Sequence, residues 1–459
     1  MRILHAIHDF LPRHQAGSEI YAFELCRALA RSHDVTVLCA DFDPTRPHGH
    51  ITWRVHGGVP VAEIVNNWIC ASFEDSYRSP AITRSCEHVL RAVQPDVVHV
   101  HNLLNLSFDL PALARARAVP VAATLHDYTL VCASGGQRIH KAESHVCDAI
   151  DSDRCARCFV QSPFHAQMSF GAVATAAHAP TTVRQTAMAF ARRFPGITSL
   201  LIRAAAHTRT TVVTPADIEA RLAAARAVFD DVDVFVAPSR SIAAEFIRFG
   251  VDASRIRVSD YGFTPLARRE RTASQKLRIG FVGTLVWHKG IHVLIDAVRD
   301  LPPAAYELKI FGDPNVFPSY TQDLRARAAG RPIRFMGPFD RDRLADVYST
   351  IDVLVVPSLW LENSPLVIHE AFMAGVPVVA SRIGGIPDLV AHEINGLLCT
   401  PGSTSDLAAA LRDLVANPER VEALACGVPP VKTIQDDVRE LELLYAGLQQ
   451  RMAPALRPA

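Results

Sequence analysis

Asp352-Val-Leu-Val-Val-Pro-Ser-Leu-Trp-Leu-Glu-Asn-Ser-Pro-Leu-Val-Ile-His-Glu-Ala-Phe-Met-Ala-Gly-Val-Pro-Val-Val-Ala380 decides the fold. Asp352 to Pro357 reads as a buried strand. Ser364-Pro365 reads as an N-cap followed by proline at the first helical position, and Gly375 as the stop before the apolar run Val376 to Ala380. Strand, loop, helix and strand in that order make a parallel crossover, so the loop carrying Glu362 and Asn363 lies beyond the carboxyl end of a strand. The free amides of residues 364 to 367 then point at whatever binds there, and an anion such as a phosphate suits them. Glu370 lies further along the helix, where an ionised carboxylate can accept hydrogen bonds from both hydroxyls of a ribose diol. Taken alone, two solvated glutamates favoured by the helix dipole explain the pair equally well.

The same alternation extends outward in both directions. Leu277 to Val282, Tyr306 to Phe311, Ile333 to Met336 and Pro377 to Ala380 read as further strands, with helices from Ile291, Tyr320, Arg341, Pro365 and Thr404. Earlier in the chain, Ile3 to Ile7, the helical pattern Glu19 to Ala30 and Asp34 to Cys39 open another such unit. Strands at Val61 to Val65, Val97 to Val100, Val119 to Thr124, Val234 to Ala237 and Arg257 to Ser259 follow it. The expected class is α/β, with two doubly wound Rossmann-like domains facing across a cleft. Residues 1–265 form the first domain, with a Cys-rich loop and a basic helical insert at 132–230. Residues 275–435 form the second, and 436–459 a helix and tail; the polar, arginine-rich stretch Thr264 to Gln275 reads as the linker.

At 459 residues the chain is too long for one ordinary core, and 49% hydrophobic with 20% charged residues excludes a disordered or collagenous protein. A formal net charge of +0 gives no global field toward nucleic acid. Met1 to Ile7 runs directly into a strand pattern, and no window is apolar enough to span a bilayer. The expected location is cytoplasmic, with the inner membrane surface left open, and the ten cysteines are then read as metal or thiol chemistry before disulfides.

Several segments place chemistry at strand ends. Gly283-Thr-Leu-Val-Trp-His-Lys289-Gly290 follows the first strand of the second domain, where a glycine turn lets backbone approach an anion and Lys289 supplies a compact charge. Lysine is otherwise found only at 141, 276, 309 and 432. Gly384-Gly385 reads as another amide-rich loop. In the first domain Gly17 follows strand one with Ser18 placed to cap the next helix, and His126 in Thr124-Leu-His-Asp-Tyr128 ends a strand as a hydrogen-bond donor or proton shuttle. Surface lysine, plain turns and a structural histidine remain the alternatives for each segment singly. Asp41-Phe-Asp43, Asp151-Ser-Asp153 and Asp231-Val-Asp233 match the aspartate pair of metal-dependent transferases, but three matches, none beside the paired glutamates, discriminate nothing.

Glu362 with Glu370, Gly283 to Gly290, Gly384-Gly385, His126-Asp127-Tyr128 and Gly17-Ser18-Glu19 occur in the order seen in family 4 of the retaining glycosyltransferases, and over most of its length the chain resembles that family. The resemblance implies the GT-B architecture and a nucleoside diphosphate sugar as donor. Glu362, His126 and Lys289 would then be catalytic, with His126 facing sugar and acceptor. Glu370, Lys289, Gly17, Gly283, Leu366, Val367, Asn363 and Ser364 would hold the donor. It further implies metal-independent transfer of a hexosyl unit to a glycan or lipid-linked acceptor, in cell-surface polysaccharide synthesis and without nucleic acid. A non-catalytic sugar-nucleotide or glycan-binding protein and a sugar-nucleotide epimerase are the alternatives. Thr284 departs from the family, which commonly has arginine there as a second cation on the diphosphate; His288, Arg382 or Ser239-Arg240 are candidates to compensate.

Cys132, Cys147, Cys155 and Cys158 cluster after the His126 strand, and the last pair has zinc-knuckle spacing, so a structural zinc and free buried thiols both fit. From Phe164 to Phe229 a basic, apolar insert carries Arg184, Arg192, Arg193, Arg203, Arg209, Arg221 and Arg226. It reads either as a cover on the first domain with a solvated arginine face or as a peripheral membrane contact.

Overall fold

The computed structural model describes residues 1–140, 143–168, 193, 212–267, 269–270 and 274–452. Its internal contacts divide into two units. One comprises Met1–Pro238, Ala243–Ser259 and the helix Ile434–Met452; the other comprises Ser239–Ile242 and Asp260–Thr433. No helix among the described residues is long and apolar enough to cross a membrane.

Strand β1 (Arg2–Ala6) sits inside an eight-stranded sheet with β2 (Asp34–Asp41), β3 (Ile51–His56), β4 (Val59–Val65), β5 (Val97–Val100), β6 (Val121–Thr124), β9 (Val234–Ala237) and β10 (Ile256–Val258). The order is β10-β9-β6-β5-β1-β2-β4-β3. All neighbours run parallel except β3 and β4. Central strands such as β5 and β6 are buried throughout, because helices cover a parallel sheet on both faces. The edge strand β3 was not anticipated: Trp53 and Val55 are exposed, so it lacks the continuous apolar run that betrays a central strand. A short hairpin, β7 (Ile139–His140) with β8 (His145–Val146), lies outside this sheet.

The second unit has six strands, β11 (Leu277–Val282), β12 (Tyr306–Phe311), β13 (Ile333–Gly337), β14 (Val353–Val356), β15 (Val378–Ser381) and β16 (Gly396–Cys399). They are ordered β13-β12-β11-β14-β15-β16 and all parallel. Alternate residues of β14 supply two cores. Val353 and Val355 pack with Ile279, Ile310 and Leu411, whereas Leu354 and Val356 pack with Tyr348, Ile368 and Phe372. The strand order reverses between β11 and β14, so the loops leaving these two strands lie side by side at the carboxyl edge, where open α/β sheets bind ligands. Strand β16 was also missed. It is short and opens on Gly396, where a Cβ would come 2.1 Å from the Val378 carbonyl oxygen, so only glycine allows the pairing.

Three expectations are corrected. The boundary set at 265 falls between Ser259 and Asp260, and the stretch read as linker belongs with the second unit, residues 268 and 271–273 lying outside the described residues. Polarity had marked exposure there rather than a break between cores. The helix set apart at 436–459 is Ile434–Met452 and packs into the first unit, with Leu441, Tyr445 and Leu448 buried. Neither serine read as a cap serves as one. Ala16 and Pro365 are the N-caps, without side-chain bonds, because Ser18 donates to Glu19 Oε2 (3.0 Å) and Ser364 to Asp260 Oδ1 (2.7 Å).

Candidate functional site

The loop after β11 and the loop after β14 meet through backbone. Gly290, at φ +72°, lies where a Cβ would be 1.9 Å from the Pro357 carbonyl oxygen, and the Leu359 amide donates to the His288 carbonyl. Gly384 and Gly385 are equally constrained: added Cβ atoms would fall 2.1 Å from the Glu362 oxygen and 1.8 Å from the Asn363 oxygen. These glycines therefore bring three loops together, with the Gly385 amide spent on the Glu362 carbonyl (2.7 Å). The reading of this pair as amides offered to a ligand does not hold for Gly385.

Lys289 is delivered by that packing. Its Nζ donates to Glu362 Oε1 at 2.7 Å and lies 5.1 Å from the centre of the Trp360 ring. Ser358 donates to the same carboxylate oxygen at 2.6 Å. Glu362 is 4% exposed; burial pushes its carboxyl pKa up, but the Lys289 charge and the bonds from Lys289 and Ser358 outweigh burial and hold it below the ordinary value. Beside it the helix Leu366–Met373 begins, and the first-turn amides of Leu366 and Val367 have no preceding turn to bond. Lys289, Glu362, Leu366 and Val367 thus stand at one sheet edge, where a cation and free amides can hold an anion next to a buried carboxylate. Asn363 accepts from Ser239 Oγ (2.8 Å), and Ser364 bridges Asp260 and His369, its hydroxyl 2.8 Å from His369 Nε2. Both support the loop after β14, and Gly283 opens the loop after β11 at φ +149°.

Glu370 is 3% exposed and already engaged: Arg341 donates to Oε1 at 3.0 Å and the Tyr348 hydroxyl to Oε2 at 3.2 Å. The phenol pKa of Tyr348 is driven well up, by burial first and then by the Glu370 charge. A diol at this carboxylate would share it with both groups. Neither Arg341 nor Asp260 was singled out from the sequence, since each lies far from its partner along the chain in a segment without a motif. Of the cations considered as replacements at Thr284, His288 is buried between Trp287 and Trp360, and Arg240 lies beside Asp388. The exposed Arg382 gives its backbone amide to Cys399.

In the first unit, Gly17 opens the helix Gly17–Leu29 and Glu19 is fully buried within it. Oε1 of Glu19 takes bonds from His8 Nε2 and His14 Nδ1, both at 2.9 Å. Burial raises the carboxyl pKa of Glu19, but the two histidines reverse this and hold it far below the usual range. The His14 pKa is raised, chiefly by its bond to Glu19. His126, just past β6, has Nε2 2.8 Å from His101 Nδ1, and burial lowers its pKa to about 3. Neither histidine beside Glu19 carries a sequence signature.

Cys132, Cys147, Cys155 and Cys158 are thiols that share one neighbourhood, in which burial first and then the other three thiols push Cys147 up to about 11. They do not form a group with ligand atoms within 4.8 Å of one another; among the described residues two histidine groups do. Most of the basic insert lies outside the described residues. Of its described part, Phe164 stacks on Trp68 and Met168 is buried. Arg221 is also buried, contrary to a solvated arginine face: it donates to the carbonyls of Thr129 and Leu130 and lies over the Phe108 and Tyr77 rings, and burial lowers its pKa to about 10.

The model for glycosyl transferases group 1 matches residues 264–424, and that for glycosyltransferase family 4 matches residues 16–169. A D-inositol 3-phosphate glycosyltransferase from Xylanimonas cellulosilytica is 31% identical over 246 residues, covering 48% of this chain and 58% of that protein. A sulfoquinovosyl transferase from Arabidopsis thaliana is 31% identical over 208 residues, covering 42% and 39%. The match thus spans roughly two to three fifths of these relatives' length. The sucrose-phosphate synthase structure from Thermosynechococcus elongatus superposes with a TM-score of 0.64 at 19% identity, covering 97% of this chain and 98% of that one. The Anabaena HepE structure with UDP-glucose gives a TM-score of 0.57 at 16% identity, covering 99% and 98%. At such identities the likeness is one of fold. With one of the two matches falling in each of the two α/β units, the chain belongs to family 4 of the glycosyltransferases, with the GT-B architecture.

Proposed function

We propose that the protein is a retaining, metal-independent glycosyltransferase that moves a hexosyl unit from a nucleoside diphosphate sugar to a glycan or lipid-linked acceptor in cell-surface polysaccharide synthesis. The observation that carries this reading is Lys289 held at 2.7 Å by buried Glu362 beside the open amides of Leu366 and Val367. A diphosphate accepting from those amides and from Lys289 has its leaving charge met by groups already in place. The acceptor hydroxyl attacks the anomeric carbon on the face the diphosphate leaves. The bond from that carbon to the phosphate oxygen breaks, the new glycosidic bond forms, and the hydroxyl proton passes to the departing diphosphate. Glu362 orients Lys289 and lies against the donor sugar, and Glu370 takes the ribose diol while Arg341 and Tyr348 keep the carboxylate aligned. From the first unit, Gly17 and His126 are read as substrate contacts.

Calorimetry with UDP, ADP and GDP in the presence of a chelator tests the site. One of the three binds, and Glu370→Ala weakens it roughly tenfold or more, the value of a charged hydrogen bond. Unchanged affinity in that variant overturns the ribose assignment. Incubation with a panel of sugar nucleotides and acceptors then releases free nucleotide only when an acceptor is present. Binding without release indicates a non-catalytic binder, and an altered sugar nucleotide formed without acceptor indicates an epimerase.

A further inference from the structure

Two imidazoles and a carboxylate converge in the first unit where β1 gives way to the helix Gly17–Leu29. His8 and His14 stand in the turn between these elements, and Glu19 is in the first turn of the helix. His8 Nε2 and His14 Nδ1 both lie 2.9 Å from Glu19 Oε1. One ligand atom from each of the three residues falls within 4.8 Å of the others. His5, His99 and His101 meet the same limit, but they are buried, and the His99 and His101 rings stack at 3°. Their lone pairs therefore lie in parallel planes and do not meet at a point.

The donor set selects the ion. Two imidazole nitrogens with one carboxylate oxygen suit zinc and its transition-metal neighbours better than magnesium or calcium, which favour oxygen throughout. Ligands about 2.1 Å from a tetrahedral zinc stand about 3.4 Å apart. Each histidine therefore has to draw back from Glu19 by about 0.5 Å, and the two imidazoles have to close by no more than about 1.4 Å. His14 is half exposed, which leaves room for that turn and gives an ion a path from solvent. The surrounding charge favours a cation too. No lysine or arginine among the described residues pairs with the fully buried Glu19, and the nearby Asp127 carboxylate adds to its field. Ser18 already holds the other oxygen of Glu19, as an outer partner of a ligating carboxylate does. His8 is the weak member. Ligation through Nε2 puts its proton on Nδ1, which is buried without a partner among the described residues, and such a gap lowers affinity roughly 10- to 100-fold.

We propose that His8 Nε2, His14 Nδ1 and the Glu19 carboxylate bind one divalent ion of the zinc class, which clips the turn after β1 to the first turn of the helix and fixes Gly17 between them. The ion takes the place of the two hydrogen bonds to Glu19. Three protein ligands leave its fourth position open to water or to a substrate hydroxyl. The site stands apart from the proposed transfer chemistry. There the departing diphosphate is met by Lys289 and the helix amides, so nucleotide binding needs no ion and survives chelation.

The test is a titration of cobalt(II) into metal-stripped, full-length protein carrying no histidine tag. One equivalent brings up the visible bands of a low-coordinate ion without a thiolate-to-metal charge-transfer band, and zinc, the tighter binder of the two, bleaches them. His14→Ala, a change at a half-exposed position, weakens binding roughly tenfold or more, and Glu19→Gln does the same where the alanine variant fails to fold. Bound zinc also slows hydrogen exchange in wild-type peptides spanning 7–29 and leaves those of His14→Ala unchanged. Absent bands, or bands that keep wild-type affinity in folded His14→Ala, overturn the proposal. A thiolate band overturns it as well, by moving the ion to the cysteines after the His126 strand. Bands that depend on His14 while exchange stays unmoved support the site and overturn its part as a clip.

Discussion

Each unit buries one glutamate beside the glycine turn that follows its first strand, but the two carboxylates are neutralised in different ways. Glu19 is met by His8 and His14, both 2.9 Å from a single oxygen, with Ser18 on the other. Glu362 is met by Lys289 and Ser358, at 2.7 and 2.6 Å. Near neutral pH an imidazole can give up its proton and still donate from an N–H, whereas an ammonium ordinarily stays charged. The first arrangement can therefore adjust its charge to its surroundings, and the second is fixed. On the proposed reading, the fixed charge is the one that meets the departing diphosphate.

The largest expected effect comes from removing the fixed partner. Lys289→Met leaves Glu362 buried without a counter-charge, which should lower local stability by about 3 kcal/mol and slow transfer roughly a hundredfold. Hydrogen exchange in peptides spanning 278–290 and 353–373 reads the first effect and nucleotide release the second; protection equal to wild type would mean that Glu362 is held by other groups. Glu19→Gln should do less, about 1 kcal/mol in peptides spanning 14–29, because the histidines facing it can become neutral and still donate. A loss as large as that of Lys289→Met would abolish the distinction drawn between the units.

The smallest effect depends on pH. The His14 pKa is raised in the folded chain, so its contribution is complete below the unfolded value near 6.5 and disappears as pH rises through the folded one. The Glu19 pKa is lowered, so its own contribution is present above about 4.5 and lost on further acidification. His14→Ala should consequently reduce protection of that segment at pH 6 and not at pH 9. With His14 half exposed, solvent screening keeps the difference under about 1 kcal/mol. An equal loss at both pH values would show that packing, not charge, is what His14 supplies.

Much of the architecture was legible because burial on both faces leaves uninterrupted apolar runs. Val353 to Val356, Val97 to Val100 and Val234 to Ala237 each fall where such a run stands in the sequence. The half-exposed edge strand β3 and the glycine-led β16 carry no such run and were invisible. The loops containing Lys289 and Glu362 could be read because turn residues and charge sit at the ends of predicted strands. The pairing of the two could not, since it depends on Gly290 lying against Pro357 from a distant part of the chain. Arg341 beside Glu370 and the histidines around Glu19 escaped for the same reason. Ser18 and Ser364 were misread because a serine next to a helix start looks like a cap whether its hydroxyl turns to the helix or to a neighbouring carboxylate.

The helix Ile434–Met452 has a bearing on how the protein is made. It inserts Tyr445, whose hydroxyl meets His99, into a unit whose sheet is otherwise assembled from residues before 260. During synthesis the later sheet, encoded entirely by a continuous stretch, can close while the earlier one still awaits this covering segment. The first half to leave the ribosome therefore cannot bring Tyr445 against His99 until translation has passed through both halves.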